Sequence, residues 1–216
     1  MNYKLVCFVL DGTLIDETEY IWLTIYEHLG VDLNETQKTA KKFWAKEITY
    51  EEWCQSDLNF LKQKNMHLKH FKDIAQKLKV MKGAIETVAE LKKRGIKIAV
   101  ISGSVDIIVD LLFPKNTFDY LLINKIVFDK KGFVQEIIPT LYDCDEKATG
   151  LLMLCKKEKI STKECVFVGD NKNDVSAAKA AGLAISFNSK SAELDNNCKV
   201  VIKKKDLRET LKHIVK

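Results

Sequence analysis

Three short polar segments, each directly behind an apolar run, hold the side chains of this 216-residue chain that could do chemistry together. They are Asp11-Gly12-Thr13 behind residues 5–10, Ser102-Gly103-Ser104 behind 96–101, and Gly169-Asp170-Asn171-Lys172-Asn173-Asp174 behind 165–168. Carboxylates serve acid–base work and bind hard cations. Lys147, in the first turn of a helix ahead of the third run, adds a cation near them. Each piece alone has a plainer reading: Asp-Gly makes a turn, Ser-Gly-Ser leads into a helix cap, and Asp170 and Asp174 suit a turn and a helix start. Their joint placement on three strand ends is harder to reduce to turns.

These segments need a sheet to bring them together. Residues 5–10 are apolar without a break, as in a parallel strand buried on both faces. From 16 to about 80 the period becomes helical. Ile21, Leu23, Ile25, Tyr26 and Leu29 form one stripe closed by Gly30, and Thr49-Tyr50-Glu51-Glu52 reads as a capping box. That box opens a helix bearing Trp53, Leu58, Phe60 and Leu61, and no strand signal interrupts the lysine-rich stretch. Trp53 and Asp57 share a helix face at i and i+4, with core packing expected for Trp53 and solvent or a cap–core contact for Asp57.

After Gly83 helix and strand alternate. The pattern predicts a helix through Leu91, a strand at 96–101, a helix at about 104–112, a strand near 120–123 and a hairpin turning at 129–132. A helix at 146–158, a strand at 165–168, a helix at 173–181, strands at 183–187 and 199–202 and a helix at 206–214 follow. Such alternation means a parallel sheet covered on both faces. The expected fold is therefore α/β: a three-layer, Rossmann-like core from residues 1–14 and 81–216, interrupted by an all-helical cap at 15–80. Ligands of open sheets bind outside the carboxyl ends of the strands, where all three polar segments fall.

With these residues in place, the sequence resembles the haloacid dehalogenase superfamily over essentially its whole length. Within it the chain is similar to phosphoserine phosphatase-like enzymes with a helical cap after the first strand. The resemblance rests on residues 8–14, 100–103, Lys147-Ala148 and 168–174, continuing through Ala178 to Gly182. It implies Mg²⁺-dependent hydrolysis of a small phosphorylated metabolite through an aspartyl phosphate, with a second aspartate as acid and base. Carried over, Asp11 is the acid/base and lends a backbone carbonyl to the metal. Thr13, Ser102, Gly103, Lys147 and Asn173 are phosphate binders. Asp170 and Asp174 are metal ligands, with Asn173 and Asp174 also placed to support the metal or orient the substrate.

One departure outweighs the match. The family's Asp-x-Asp-Gly-Thr-Leu stands here as Val9-Leu10-Asp11-Gly12-Thr13-Leu14, so Val9 occupies the nucleophile's place. A register shifted by two would make Asp11 the nucleophile, but it puts Ile15 where a phosphate-binding threonine belongs. Phosphate monoesters need accelerations of up to about 10²¹-fold, whereas a serine protease without its nucleophile keeps roughly 10³–10⁴-fold. A phosphatase with impaired or lost turnover and weakened Mg²⁺ affinity is expected. The alternative is a pseudoenzyme that binds a phosphorylated ligand or a partner protein without turnover, and a third reading is that Val9 is not the natural residue. The cap departs as well. Residues 15–80 contain no arginine to hold an amino-acid substrate, and the family's acidic position falls on Thr18, between Glu17 and Glu19.

Composition narrows the partners. The chain is 46% hydrophobic and 30% charged with a net charge of +5, an ordinary globular balance. No apolar run nears the roughly 18 residues of a membrane span, and the start shows no signal-peptide pattern, so a cytoplasmic protein is expected. Arg94 and Arg208 are the only arginines, which counts against base-specific nucleic-acid binding. Lys203-Lys204-Lys205 reads as a solvated face. Six cysteines are scattered without metal-ligand spacing and fit reduced thiols, Cys7 and Cys165 in the core.

Overall fold

The computed structural model describes residues 2–18 and 20–215. β1 (Leu5–Phe8) is followed by the short β2 (Ile15–Asp16), then by α1 (Ile21–Leu29), α2 (Leu33–Trp44), α3 (Tyr50–Gln63) and α4 (Leu68–Ala75). β3 (Lys79–Val80), α5 (Ala84–Lys93), β4 (Lys97–Val105), α6 (Asp106–Leu112), β5 (Tyr120–Phe128) and β6 (Val134–Ile138) come next. α7 (Lys147–Glu158), β7 (Cys165–Gly169), α8 (Val175–Ala180), β8 (Leu183–Phe187), α9 (Ala192–Asn197), β9 (Val200–Ile202) and α10 (Leu211–Ile214) complete the order.

Seven strands form one sheet in the order β6-β5-β4-β1-β7-β8-β9. Every pair is parallel except β5–β6, which is the hairpin edge. The central strand shows why an unbroken apolar run was required. Val6, Phe8 and Leu10 pack into one core cluster with the helical segment, while Leu5, Cys7 and Val9 pack into the other with Leu151 and Leu154 of α7 and Ala177 and Ala178 of α8. Burying each such aliphatic side chain is worth about 1.5–3 kcal/mol, so neither face tolerates a polar residue cheaply.

The helical insertion is bounded by a detail the pattern did not reveal. β2 and β3 pair antiparallel, Ile15 opposite Val80 and Asp16 opposite Lys79, and tie the two ends of the insertion together. Two-residue strands leave no periodicity to read. The Thr49–Glu52 capping box forms as expected, with both reciprocal hydrogen bonds present. β4 runs on to Val105, past the point where a helix was expected to begin at about residue 104, and Ser102 and Gly103 are thereby strand residues. α9 was not foreseen.

The cysteines are free among the described residues, and the Cys7 and Cys165 sulfurs lie 3.9 Å apart in the core. Lys203, Lys204 and Lys205 pair with Asp195, Glu209 and Asp16. No described helix is long and apolar enough to cross a membrane.

Candidate active site

β1 has β4 on one side and β7 on the other, so the chain leaves these three neighbouring strands at one edge of the sheet. A cavity of about 900 Å³ opens there, lined by Val9 and Asp11, by Ser102, Gly103 and Ser104, and by Lys147, Asp170 and Asn173. The three predicted segments therefore meet in one space. Thr13 and Asp174 lie beneath its surface and act on the groups that line it.

Asp11 is buried, and its Oδ2 accepts the Ile21 backbone N–H at 3.0 Å. Its Oδ1 has no hydrogen-bond partner among the described residues. Burial pushes the Asp11 carboxyl up to about 6, with the Asp143 charge adding to it; the Ile21 N–H, the Ser104 hydroxyl and Lys147 hold it from rising further. A carboxylic acid poised near neutrality with a free oxygen suits proton transfer.

Gly12 has φ +71, and a Cβ there would run into the Asp170 carboxylate, so glycine is what lets the two loops close on each other. Thr13 Oγ1 donates to Asp170 Oδ1 at 3.2 Å. The hydroxyl expected to bind phosphate thus orients a carboxylate here. Burial first, then the charge of Asp174, raises the Asp170 carboxyl to about 8, against the pull of Lys147 and Thr13.

Lys147, 1% exposed, donates to Asp174 Oδ1 at 2.6 Å and lies 3.9 Å from Asp143 Oδ1. Burial alone would lower its ammonium, but Asp174 and then Asp143 hold it above its ordinary value. Asp174 Oδ2 accepts the backbone N–H groups of Asp170 and Asn171 at 2.9 and 3.0 Å. Both oxygens of Asp174 are engaged, so it braces the loop that presents Asp170. Asn173 is half-buried on the cavity wall.

Three residues at this site, Asp143, Asn124 and Trp22, escaped the sequence reading. Asp143 packs against Gly103 so closely that a Cβ at 103 would strike its carboxylate. It sits one helical turn before Lys147, which is a readable i,i+4 signal. Asn124 is fully buried in the middle of β5, beside the exposed Lys125, and its amide donates to the Gly103 carbonyl at 2.7 Å and to Tyr50 Oη at 3.0 Å. A lone buried Asn in a strand was the available signal. Trp22 Nε1 donates to the same carbonyl at 2.9 Å, and Ser104 N–H to Ser102 Oγ at 3.3 Å; nothing in the spacing announces either contact.

Asp57 is buried, not solvent-facing, and accepts Tyr26 Oη–H at 2.6 Å. Trp53 is half-buried and lines the cavity. Glu19, considered as a carboxylate for this region, lies outside the described residues. Burial raises the Asp57 carboxyl to about 7, and only the Tyr26 hydrogen bond opposes it. A carboxylate raised on folding binds a proton the unfolded chain has released, so stability is highest at low pH and falls as pH climbs from the unfolded value through about 7. The melting temperature is expected to drop by at least roughly 5 °C between pH 5 and pH 8, with Asp11 and Asp170 contributing beside Asp57, and Asp57→Asn to lessen that slope without removing it. An equal slope in the variant would place the titration elsewhere.

For a cation, no group of three His, Cys, Asp or Glu side chains is arranged to hold a metal among the described residues. What remains, the Asp170 carboxylate and the Asp11 carbonyl, is an oxygen-only set. Mg²⁺ is commonly held by one or two carboxylates together with a substrate phosphate, and these residues fit it in kind.

The chain as a whole is similar to known proteins. The haloacid dehalogenase-like hydrolase family matches residues 3–182. The phosphoserine phosphatase of Methanocaldococcus jannaschii is 30% identical over 211 residues, 98% of this chain and 97% of that protein. That of Campylobacter jejuni is 28% identical over 98% of this chain and 99% of its own. A substrate-bound phosphoserine phosphatase structure superposes with a TM-score of 0.78 at 30% identity, covering 99% of both chains.

Proposed function

This chain belongs to the haloacid dehalogenase-like hydrolases, and we propose that it is a phosphatase scaffold for a small phosphomonoester in which Val9 has replaced the attacking carboxylate, leaving turnover impaired or lost. The observation that carries this is the end of β1. Asp11, just past that strand, is buried with a free oxygen, while two residues earlier Val9 is an apolar side chain that packs into the core and lines the cavity. Valine has no lone pair with which to attack phosphorus.

The remaining groups keep their parts. Ser102, the Gly103 amide, Asn173 and Lys147 hold the phosphoryl oxygens, and the Trp22 and Asn124 hydrogen bonds to the Gly103 carbonyl anchor the Gly103–Ser104 peptide that follows. Thr13 acts through Asp170, and Asp174 through Lys147 and the loop. Asp11, near neutrality, donates a proton to the leaving oxygen or takes one from water. Mg²⁺, when held by Asp170, the Asp11 carbonyl and the phosphate, supplies neutralisation of phosphoryl charge. With one carboxylate fewer its affinity is weakened, and Asp174, already engaged twice, supports it only by bracing the loop.

Binding without turnover is a second reading, favoured by the intact anion-holding groups beside a missing nucleophile. One experiment bears on both. Phosphate release from phosphoserine and para-nitrophenyl phosphate is followed in Mg²⁺, beside thermal melting in millimolar inorganic phosphate. Release is expected at or near background, with phosphate raising the melting temperature by a few degrees through mass action and Lys147→Ala abolishing that rise. Brisk release lost in Asp11→Asn would make Asp11 the attacking group and overturn the assignment of Val9. No phosphate effect at all would remove the anion site.

A further inference from the structure

Phosphate recognition leaves one wall of the cavity unexplained. From the helical insertion, Tyr20, Leu23, Ala40, Trp44 and Trp53 line the same space as the phosphate-facing groups. Trp44 is 55% exposed, Leu23 41% and Tyr20 37%, three large apolar side chains presented to water around one opening. Such a patch marks a place where something apolar binds. The indoles are held in place: Phe43 packs at 5.1 Å against Trp44 and 4.9 Å against Trp53, and Tyr50 stands edge-on to Trp53 at 6.2 Å. The wall is therefore preformed, and an incoming ring need not order it.

Charge around the cavity points the same way. Five carboxylates line it against three lysines. Of those lysines, Lys147 is committed to Asp174 at 2.6 Å and Lys172 lies 3.8 Å from Glu193. The chain's arginines pair with Glu90 and Asp206, neither of which lines the cavity. A second anionic group on the substrate, such as the α-carboxylate of an amino acid, finds no guanidinium fork among the lining residues. Size adds to this, since about 900 Å³ lies toward the upper end of small-molecule sites.

We propose that the organic part of the ligand is an uncharged, ring-bearing body seated against Trp44 and Trp53, so that this chain takes an aryl-type phosphomonoester in preference to an amino-acid phosphate. This rests on reading the site as a phosphomonoester pocket. Aromatic pairs add to what area burial alone gives, and two indoles make a tenfold preference a modest demand.

The test is calorimetric titration of the full chain, in Mg²⁺, with phenyl phosphate, phosphoserine and inorganic phosphate. Phenyl phosphate is expected to bind at least tenfold tighter than phosphoserine. Trp53→Ala and Trp44→Ala are each expected to cut that ratio at least threefold, while inorganic phosphate, which has no ring, keeps its affinity. Trp44 is more than half exposed, so its variant leaves the fold intact and keeps the test open even if Trp53→Ala is unstable. Equal or tighter binding of phosphoserine, or a ratio indifferent to both indoles, overturns the aromatic subsite while leaving the phosphate pocket standing. Failure of inorganic phosphate to bind at all overturns the pocket itself and the subsite with it.

Discussion

Val9→Asp is expected to release phosphate from para-nitrophenyl phosphate at least about 10³-fold faster than the unaltered chain, because removing a nucleophile from an assembled site costs on the order of 10⁶-fold where it has been measured. The rest of the apparatus is present. Asp11 keeps a free oxygen and a carboxyl near 6, and Ser102, Gly103 and Lys147 line or underlie the same cavity. The new carboxylate would attack phosphorus to form an aspartyl phosphate, with Asp11 protonating the departing oxygen and then activating the water that cleaves it. Asp11→Asn in the same chain is expected to return release to background. The substitution also has a structural signature. Val9 is 6% exposed and packs in the cluster with Leu5, Cys7 and Ile101. Aspartate there gives up that packing and joins Asp11 and Asp170 around one cavity, so without Mg²⁺ the variant should be less stable by about 1–3 kcal/mol. Millimolar Mg²⁺ should restore much of the loss by binding the folded state, and should do little for the unaltered chain. A folded variant that gains Mg²⁺ binding but no turnover would mean that the cavity geometry, and not the missing carboxylate, limits the chemistry.

The sequence carried the strand-end logic because a parallel strand buried on both faces has no choice of residue until it leaves the sheet. Residues 5–10, 96–101 and 165–168 had to be apolar, and the first polar residue after each had to sit at one edge. That is why Asp11, Ser102 and Asp170 could be placed at strand ends on one edge, and the parallel sheet followed from the same alternation, whereas the strand order came only with the structure. What stayed hidden depends on contacts between distant segments. Thr13 turns toward Asp170 only because Gly12, at positive φ, lets the two loops touch. The two backbone N–H groups and Lys147 that fold around Asp174 are likewise contacts that spacing does not announce. The sequence leaves Asp57 open to solvent or a cap–core contact, since a carboxylate on a helix is ordinarily solvated; Tyr26, 31 positions away within the same helical insertion, is what permits its burial. β4 continues to Val105 through a break in register with β5 after Ile101, the Ser102 hydroxyl accepting the Ser104 N–H on the way, where small polar residues suggest a helix cap.

Lys147→Met is expected to be the most destabilising single change at the site, by about 3–5 kcal/mol in urea denaturation, because it leaves a fully buried carboxylate with no counter-charge. Asp174 has zero exposure and its Oδ1 has Lys147 as its hydrogen-bond partner at 2.6 Å. Methionine fills the space of the lysine stem, so the loss comes from charge and not from a cavity. The double variant Lys147→Met/Asp174→Asn should recover part of it. Asparagine can still accept the Asp170 and Asn171 N–H groups through its amide oxygen, while the uncompensated charge is gone. The two changes should therefore be non-additive by about 1–3 kcal/mol, with the double variant more stable than the sum of the singles. A ligand readout separates architecture from anion binding. If Lys147 also holds phosphate, the rise in melting temperature caused by millimolar phosphate disappears in Lys147→Met and stays absent in the double variant, although stability has partly returned. If the phosphate effect returns with stability, Lys147 serves the fold alone and the anion is held by the Ser102 and Gly103 loop. A cost below about 1 kcal/mol for Lys147→Met would show that the pair is solvated in solution, and the buried ion pair would lose its place in both the fold and the chemistry.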